Sequence, residues 1–367
     1  MRNLTLVVGG GPAGSSCAWK LASASMPCRV VDKQKFPRDK VCGGILSHRA
    51  CSVLSESGMV SDEELEELTL RKHSRISFFH RGKLLRTFTS AAHPVRLVSR
   101  KRFDSFLLDR ARSAGAEVIT GVKVESVDSR SAATSSGENM PFSHLVGADG
   151  CTSVVRKLVS GRRSRKTGMG LEYRVPLSEM DLEPDGIEIH FGHLPYGYLW
   201  LIPGKGSVSV GAGAVGSPAS PEDIVEALGE FMDSLSVSSG NHQLRGASIP
   251  SLVLHGNLGR NNIYLTGDAA GLVDHISGEG IGHAVESGFM AADCILADDD
   301  RRSVLRRDGN CIRMVRQSIL YRHLLFSRLT RGTAMMSLRD SPEFARGYWN
   351  IISGVETYNG MFSRILG

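Results

Sequence analysis

The sequence predicts an α/β protein with an α+β insertion, in which a parallel-sheet domain is interrupted by an antiparallel sheet and followed by a helical C-terminus. Three observations predict this fold class. Apolar strand residues run into glycine-rich turns at VVGGGPAG, VGADGCTSVVR and LTGDAAG, which lie far apart in the chain. Short alternating segments typical of antiparallel strands occupy much of the interval between the second and third turns. Beyond the third turn, apolar residues recur at helical spacing among arginines.

Composition sets the first bounds. A chain of 367 residues is long enough for two domains, and 41% hydrophobic with 22% charged residues is typical of a soluble globular protein. The net charge of +6 is too small and scattered to indicate nucleic acid, but it suits an anionic cofactor or a membrane surface. The seven cysteines form no CxxC pair and no metal spacing, so we expect no metal and a reducing, cytoplasmic setting. Strand residues begin at Leu4, so we expect no signal peptide, and no apolar run of about 18 residues is present.

The first element is a buried strand over 4–8 that enters a G-x-G-x-x-G turn. A helix over 15–24, a second strand over 28–31 and then Asp32 follow. The glycines of the turn are Gly9, Gly11 and Gly14. In a Rossmann-type domain such glycines allow a tight turn, close approach of backbone to a pyrophosphate, and packing of helix on strand, while an acid such as Asp32 binds a ribose diol. The alternative is a glycine-rich turn that binds nothing.

The next segment, KQKFPRDKVCGGILSHRA, holds a Cys-Gly-Gly turn before a predicted helix over 47–57. Strands over 75–79 and 83–89 form a predicted hairpin around Arg81-Gly82. The following predicted elements are a helix over 103–113, strands over 116–119, 122–127 and 143–146, and a helix over 152–159.

The antiparallel sheet is predicted to contain strands over 169–175, 186–191, 197–202 and 207–214, followed by a helix over 221–235. A buried strand over 263–266 and a long helix from the GEG turn to residue 296 return the chain to the first domain, and a mostly helical, basic tail begins at Arg301. The predicted domains are therefore 1–72, 95–163 and 258–298 for the parallel-sheet domain, 73–94 and 164–257 for the substrate-binding β domain, and 299–367 for the helical C-terminal region.

Several strings together resemble a known family. GGGPAG, SRKRFDSFLLDRA, GADGCTSVVR and TGDAAGLVDHISGEGIGHAVESG are similar to motifs of the FAD-dependent aromatic hydroxylase (p-hydroxybenzoate hydroxylase-like) superfamily. DKQKFPRDKVCGG and PYGYLWLIP most closely resemble the geranylgeranyl reductase family within it. The resemblance covers the chain to about residue 297. It implies a Rossmann-type FAD-binding domain interrupted by an antiparallel substrate domain.

The resemblance also implies roles for individual residues. Asp268 would bind the ribityl chain and Arg100 the dinucleotide, while the helix that begins after Gly280 would stabilise negative charge on the reduced flavin through its dipole. Asp149 has two interpretations, since it either serves FAD and a passing nicotinamide or caps the helix that follows it. The residues expected to bind FAD are Gly9, Gly11, Pro12, Ala13, Gly14, Asp32, Lys33, Arg38, Cys42, Gly43, Gly44, Arg100, Val124, Asp149, Gly150, Gly267, Asp268, Gly278, Gly280 and Ile281.

Three residues are candidates for the chemistry and for substrate binding. The resemblance places Cys42 over the flavin, where its thiol could deliver a proton to a substrate carbon. Tyr198 and Trp200 are two residues apart in a predicted strand and therefore project from one sheet face, where aromatic rings suit a polyprenyl chain. The alternatives are a cysteine that merely packs beside glycines and aromatic rings that merely fill a core.

The tail pattern has two interpretations. The apolar residues at helical spacing are Ile312, Val315, Ile319, Phe326 and Leu329, and arginines fill much of the remainder. A helix that covers the flavin domain explains the pattern, and so does a basic amphipathic helix that contacts anionic lipid at the membrane periphery.

The sequence thus predicts a cytoplasmic FAD-dependent oxidoreductase that reduces prenyl double bonds of an isoprenoid or lipid with electrons from NAD(P)H or a small redox protein. The nearest alternative is an FAD-dependent monooxygenase that hydroxylates an aromatic small molecule or, in cofactor maturation, a protein side chain. A halogenase is disfavoured because Tyr198 stands where the first tryptophan of Trp-x-Trp-x-Ile-Pro would be. A non-enzymatic electron carrier would not need an aromatic-lined β domain.

Overall fold

The computed structural model describes residues 4–160, 167–181, 183–250, 258–297 and 309–366. Its α-helices are α1 (Pro12–Ser23), α2 (His48–Glu56), α3 (Asp62–Leu68), α4 (Arg100–Ser113), α5 (Arg156–Ser160), α6 (Pro221–Ser234), α7 (Gly267–Ala270), α8 (Ile281–Leu296), α9 (Asn310–Phe326), α10 (Arg331–Asp340), α11 (Pro342–Ile352) and α12 (Tyr358–Leu366). Its strands are β1 (Thr5–Val8), β2 (Cys28–Asp32), β3 (Ile45–Leu46), β4 (Thr69–His73), β5 (Arg75–His80), β6 (Lys83–Thr89), β7 (Val95–Val98), β8 (Glu117–Thr120), β9 (Val124–Val127), β10 (Ser131–Thr134), β11 (Asn139–Pro141), β12 (His144–Gly147), β13 (Thr167–Pro176), β14 (Ile187–Phe191), β15 (Gly197–Pro203), β16 (Ser207–Ala214), β17 (Arg245–Pro250), β18 (Gly259–Arg260) and β19 (Ile263–Leu265).

A six-stranded sheet forms the centre of the first domain, in the order β18-β19-β12-β1-β2-β8. All neighbouring pairs are parallel except β18–β19. Val7 in the central strand pairs with Val30 on one side and Val146 on the other, and all three side chains are buried. Buried residues of α1, α8 and α9 join these strands in one hydrophobic core. The α/β prediction is confirmed.

The second sheet has seven strands in the order β17-β13-β16-β15-β14-β5-β6. The predicted hairpin is present, with Arg81 and Gly82 both at positive φ (49° and 75°) as its two-residue turn requires. The prediction of an entirely antiparallel sheet is wrong at one pair, since β5 and β14 run parallel. These strands are joined by a long stretch of chain rather than a short loop, so their relative direction is not fixed locally.

Two small sheets, β3-β7-β4 and β11-β10-β9, complete the sheet structure of the described residues. One predicted helix is shorter than expected, because the helix predicted over 152–159 begins only at Arg156. The hydroxyl of Ser153 accepts a hydrogen bond from the Arg156 backbone N–H at 2.9 Å. This bond caps the helix, so the residues before Ser153 form a turn.

The C-terminal region is helical, as predicted, from α9 to α12, while residues 301–308 of the predicted tail lie outside the described residues. Trp349 and Tyr348 of α11 pack in one buried cluster with Phe78 of β5 and Phe191 of β14. The helices therefore share a core with the seven-stranded sheet. Of the helices that the structure describes, none has the length and apolar character needed to cross a bilayer.

Candidate active site

A cavity of about 700 Å³ lies between the two sheets. Turns after strands of the six-stranded sheet, residues of β13 and β15 in the seven-stranded sheet, and Ile352 of α11 all line it. Every predicted site residue contributes to this lining except Gly14 and Gly267. The predicted residues found in the lining are Gly9, Gly11, Pro12, Ala13, Asp32, Lys33, Arg38, Cys42, Gly43, Gly44, Arg100, Val124, Asp149, Gly150, Tyr198, Trp200, Asp268, Gly278, Gly280 and Ile281.

The first glycine-rich turn is packed too closely for side chains. A Cβ atom on Gly14 would lie 1.8 Å from the carbonyl oxygen of Gly9, and one on Gly9 would lie 2.3 Å from that of Ala148. Gly14 therefore supports the turn from behind the lining. Helix α1 starts at Pro12 with Gly11 as its N-cap, and no side chain within the described ranges caps it. Its N-terminus thus presents unpaired N–H groups and a positive dipole end to the cavity, which fits a pyrophosphate.

Asp32 ends β2 at the edge of the cavity. Its Oδ2 atom accepts a hydrogen bond from the Gly10 backbone N–H at 2.7 Å, and its Oδ1 atom accepts one from Gln34 at 2.8 Å. These bonds fix the carboxylate against the glycine turn. A carboxylate has about four lone-pair sites, so acceptor capacity remains for a ribose diol.

The two carboxylate oxygens of Asp149 have different surroundings. Its Oδ2 atom accepts a hydrogen bond from the Val154 backbone N–H at 2.7 Å, so it orders the turn before α5. Its Oδ1 atom is buried without a hydrogen-bond partner among the described residues. Burial raises the pKa of this carboxyl group. A buried polar atom left over at a cavity wall suits a bound polar ligand.

The cationic side chains of Arg38, Lys40 and Arg100 contribute to the lining of the cavity. The guanidinium of Arg100 binds both carboxylate oxygens of Asp104 at 2.8 and 2.7 Å, and Arg38 lies 2.9 Å from Asp104 as well. The ammonium of Lys40 lies 2.9 Å from a carboxylate oxygen of Asp268. Sequence reasoning missed Asp104 and Lys40, although the i, i+4 spacing of Arg100 and Asp104 on a helix is a readable signal.

Two of these carboxyl groups are held ionised. Burial opposes ionisation of Asp104, but the charges of Arg100, Arg38 and Lys40 hold its pKa below the usual value. At Asp268 burial is likewise outweighed, chiefly by Lys40. The cations are therefore largely neutralised within the site and fixed in position before any anion binds.

The Cys-Gly-Gly turn forms the wall next to the seven-stranded sheet. Cys42 is half-buried and free, and its sulfur accepts a hydrogen bond from the Gly44 backbone N–H at 3.4 Å. Arg174 of β13 donates to the Cys42 carbonyl oxygen at 2.9 Å and lies 3.4 Å from Glu172. Sequence reasoning missed Glu172 and Arg174, which tie the turn to the sheet.

Tyr198 and Trp200 project from one face of β15 into the cavity, as predicted. Their ring centroids are 6.4 Å apart in an edge-to-face arrangement. The Trp200 indole donates to the Ser209 hydroxyl at 3.1 Å, and Ser209 donates to Glu172 at 2.8 Å. Burial raises the pKa of the Tyr198 hydroxyl well above its usual range, so this group stays neutral and is a weak acid.

Two further acids beside the cavity were not singled out from sequence. Burial raises the pKa of Glu279 to about 7, and its carboxylate accepts a hydrogen bond from Ser47 at 2.5 Å. Asp274 is buried and its pKa is raised, while its Oδ1 atom accepts from the Tyr358 hydroxyl at 2.7 Å. Both acids lie within the quoted VDHISGEG string, but neither burial nor the tyrosine contact can be read from it.

The arrangement fits a flavin dinucleotide. The N-termini of the long helices α1 and α8 both face the cavity, and neither has a side-chain cap in the part of the chain that the structure describes. Asp32 and Asp149 offer acceptor atoms nearby. A profile of the FAD binding domain family matches residues 3–297.

The chain belongs to this FAD-binding family. It is an FAD-dependent oxidoreductase, and its predicted resemblance to geranylgeranyl reductases is confirmed. A menaquinone reductase of Mycobacterium tuberculosis is 28% identical over 92% of this chain and 87% of the relative. A geranylgeranyl diphosphate reductase of Rhodobacter capsulatus is 28% identical over 81% of this chain and 76% of the relative.

A solved structure supports the fold. The crystal structure of a geranylgeranyl bacteriochlorophyll reductase-like protein from Thermoplasma acidophilum matches with a TM-score of 0.76 and 21% identity, over 100% of this chain and 99% of that one. The interrupted FAD-binding fold therefore has a precedent over the full length, including the helical C-terminus, in which the sequence showed no family motif.

Proposed function

We propose that this oxidoreductase reduces carbon–carbon double bonds in the prenyl chain of an isoprenoid or lipid. The observation that carries the proposal is that Cys42, Tyr198 and Trp200 line the same cavity as the expected FAD residues. The names of two relatives, a menaquinone reductase and a geranylgeranyl diphosphate reductase, support it. Isoleucines of the β sheet and of α11 add apolar surface to the same wall, which suits a hydrocarbon chain.

In this proposal the protein positions the chain and supplies a proton. Tyr198 and Trp200 hold the apolar substrate and exclude water from it. When bound and reduced, FAD would supply a hydride to one carbon of the double bond. The Cys42 thiol donates its proton to the other carbon, so that C=C becomes CH–CH and a thiolate remains to be reprotonated from solvent. Arg174 and the Gly44 backbone N–H orient the turn that carries this thiol.

NAD(P)H or a small redox protein would return electrons to the cofactor. Mixing the protein with NADPH or NADH without oxygen and following flavin absorbance distinguishes these donors. Bleaching within seconds supports a nicotinamide donor, whereas a flavin that only dithionite reduces supports a protein donor.

Turnover without oxygen tests the reaction class. The chemically reduced protein is incubated anaerobically with a prenylated quinone or geranylgeranyl diphosphate. The molecular mass of the product is then measured by mass spectrometry. We expect a gain of two hydrogens for each reduced bond. A product that forms only in air and gains an oxygen atom would instead establish the monooxygenase alternative.

Replacement of the thiol tests its role. Cys42→Ala should retain FAD but lower alkene reduction by about 100-fold or more, because general acid catalysis contributes about 10²–10⁴-fold. Cys51→Ala is the matched control, since Cys51 is free and buried in α2 but does not line the cavity. Turnover of Cys42→Ala equal to that of the control would remove the proposed proton donor.

A further inference from the structure

Large apolar side chains are exposed on the C-terminal helices and on the adjacent β5–β6 hairpin, and we call this region the docking surface. Leu329 in the α9–α10 turn is 93% exposed and Leu320 on α9 is 64% exposed. The docking surface comprises the exposed apolar residues Leu84, Leu320, Leu324, Leu329 and Met336, and the basic residues Arg81, Lys83, Arg328 and Arg331. Its apolar members make up five of the nine large hydrophobic residues that are exposed in the described ranges.

The parts of the docking surface lie together in the fold. Leu320 and Leu324 are one helical turn apart and share a face of α9. Helix α10 contacts both α9 and strand β6, and Arg86 of β6 donates to the Arg339 carbonyl oxygen at the end of α10. Burial and then the charges of Arg331 and Arg81 lower the pKa of His80, which places Arg331 near the hairpin tip.

The segments that form the docking surface carry a large excess of positive charge. Residues 309–340, which include α9 and α10, contain six arginines and one acid, Asp340, which pairs with Arg339 at the end of α10. Residues 80–89 contain two arginines, a lysine and no acid. Like charges would be brought together if a second copy of this chain bound the surface symmetrically. Exposed leucines among cations suit a lipid surface, where apolar groups enter the acyl boundary and arginines contact phosphates.

The docking surface adjoins the wall of the cavity. Tyr196 lines the cavity, and its hydroxyl is 2.9 Å from Nδ1 of His323 on α9. His323 is exposed between Arg322 and Leu324, and the ring of Phe326 lies 6.1 Å from that of Tyr196. Leu324 therefore lies one residue from a contact to the cavity lining, and Leu320 lies three residues from it.

We propose that the docking surface binds the protein reversibly to membranes rich in anionic lipid. This contact would hold the cavity beside the layer in which a prenyl lipid dissolves. Only the value of the contact for turnover rests on the proposed function, because the binding itself depends on the exposed leucines and cations alone.

Vesicle flotation of the full-length, FAD-loaded protein tests the proposal. Vesicles of phosphatidylglycerol mixed with phosphatidylcholine are compared with vesicles of phosphatidylcholine alone. We expect the protein to float with the anionic vesicles, and we expect added salt to weaken this binding. The triple variant Leu320→Ser, Leu324→Ser, Leu329→Ser should bind at least about tenfold more weakly, because each substitution removes an apolar side chain that would enter the acyl boundary. The double variant Lys83→Glu, Arg328→Glu should bind at least about tenfold more weakly, because a basic residue near an anionic surface contributes about 1 kcal/mol.

The double variant Val225→Ser, Leu244→Ser is the matched control, since both residues are exposed elsewhere on the molecule. It should float like the unmodified protein, and every variant should keep its flavin absorbance. Absence of flotation, or equal flotation of the triple variant and the control, would overturn the proposal. So would a change in oligomeric state that only the triple variant shows, because it would identify the surface as a protein interface. None of these results depends on turnover, so failure of the reductase proposal is detected separately.

Discussion

At the scale of single residues, burial and neighbouring charge compete at the carboxyl groups beside the cavity. Burial opposes ionisation of Asp268, yet Lys40 at 2.9 Å keeps its pKa low. Glu279 is buried too, but its hydrogen bond from Ser47 does not outweigh burial and the repulsion from Asp274, so its pKa rises to about 7. At neutral pH one group is an anion and the other is partly protonated, although both face the same cavity.

The raised pKa of Glu279 predicts a pH-dependent cost in stability. The folded-state pKa of about 7 lies above the usual value of 4.5 for a glutamate, so ionisation disfavours folding. The cost is absent below about pH 4.5 and is complete above about pH 7, where it reaches at most about 3 kcal/mol. Glu279→Gln should therefore increase the free energy of unfolding near pH 8 and change it little near pH 4.5. Urea unfolding at both pH values measures this.

The exposed Glu226→Gln is the control for that series, and it should change stability little at either pH. A Glu279→Gln variant that is equally stable relative to the unmodified protein at both pH values would contradict the assigned pKa.

Sequence spacing was informative for residues whose role follows from a local turn. The glycines at 9, 11 and 14 and the acid at 32 were predicted because the fingerprint fixes their spacing, and the structure places this unit at the cavity. Glu279 was quoted within its motif but not singled out, since burial arises only when Ser47 and α8 meet. The contact of Arg174 with the Cys42 turn joins residues 132 positions apart, which no local pattern reveals.

At the scale of elements, the aromatic wall depends on glycines in the neighbouring strand. Trp200 on β15 lies across Gly211 on β16, and the two residues are register partners. A Cβ atom on Gly211 would lie 2.2 Å from the indole ring, and one on Gly213 would lie 3.1 Å from it. The missing side chains of β16 thus create the space in which the indole rests.

Gly211→Ala should displace Trp200 and destabilise the protein by about 1–3 kcal/mol, the usual cost of overpacking. Gly229→Ala is the matched control, because Gly229 lies inside α6 and an added Cβ would meet nothing within 4 Å. That control should stabilise the protein by about 0.5–1 kcal/mol, since alanine is the better helix former. Thermal unfolding and tryptophan fluorescence measure both effects. If both variants changed the unfolding temperature in the same direction, the indole could move without a cost in stability.

Element boundaries followed hydrophobic periodicity closely where the core decides them. The predicted strand over 207–214 and the predicted helix over 221–235 agree with β16 and α6 to within one residue. The start of α5 and the parallel pairing of β5 with β14 could not be predicted from this periodicity. A serine cap and a distant strand partner set those features, and neither changes the periodicity of the segment itself.

At the scale of the whole molecule, the C-terminal helices complete both the core and the cavity. Trp349 of α11 is fully buried, and Ile352 of the same helix lines the cavity. No motif beyond residue 301 was recognised from sequence, because these side chains act through packing against β5 and β14. The helices should therefore unfold together with the rest of the protein, since their core is shared.

Tyr358 is the polar link between α12 and the cavity, and its removal tests this integration. Its buried hydroxyl donates to Asp274 at 2.7 Å, so Tyr358→Phe should cost about 1–2 kcal/mol. Burial raises the pKa of Asp274 and the tyrosine hydrogen bond lowers it, so the variant should lose more stability at high pH, where the carboxylate is ionised.

Tyr321→Phe is the control, because its hydroxyl bonds Asn359 at an exposed site and should contribute less than about 0.5 kcal/mol. Unfolding followed by circular dichroism and by release of FAD fluorescence should give coincident transitions in both variants. An early, separate loss of helix signal in Tyr358→Phe would show instead that the C-terminal region folds as an independent unit.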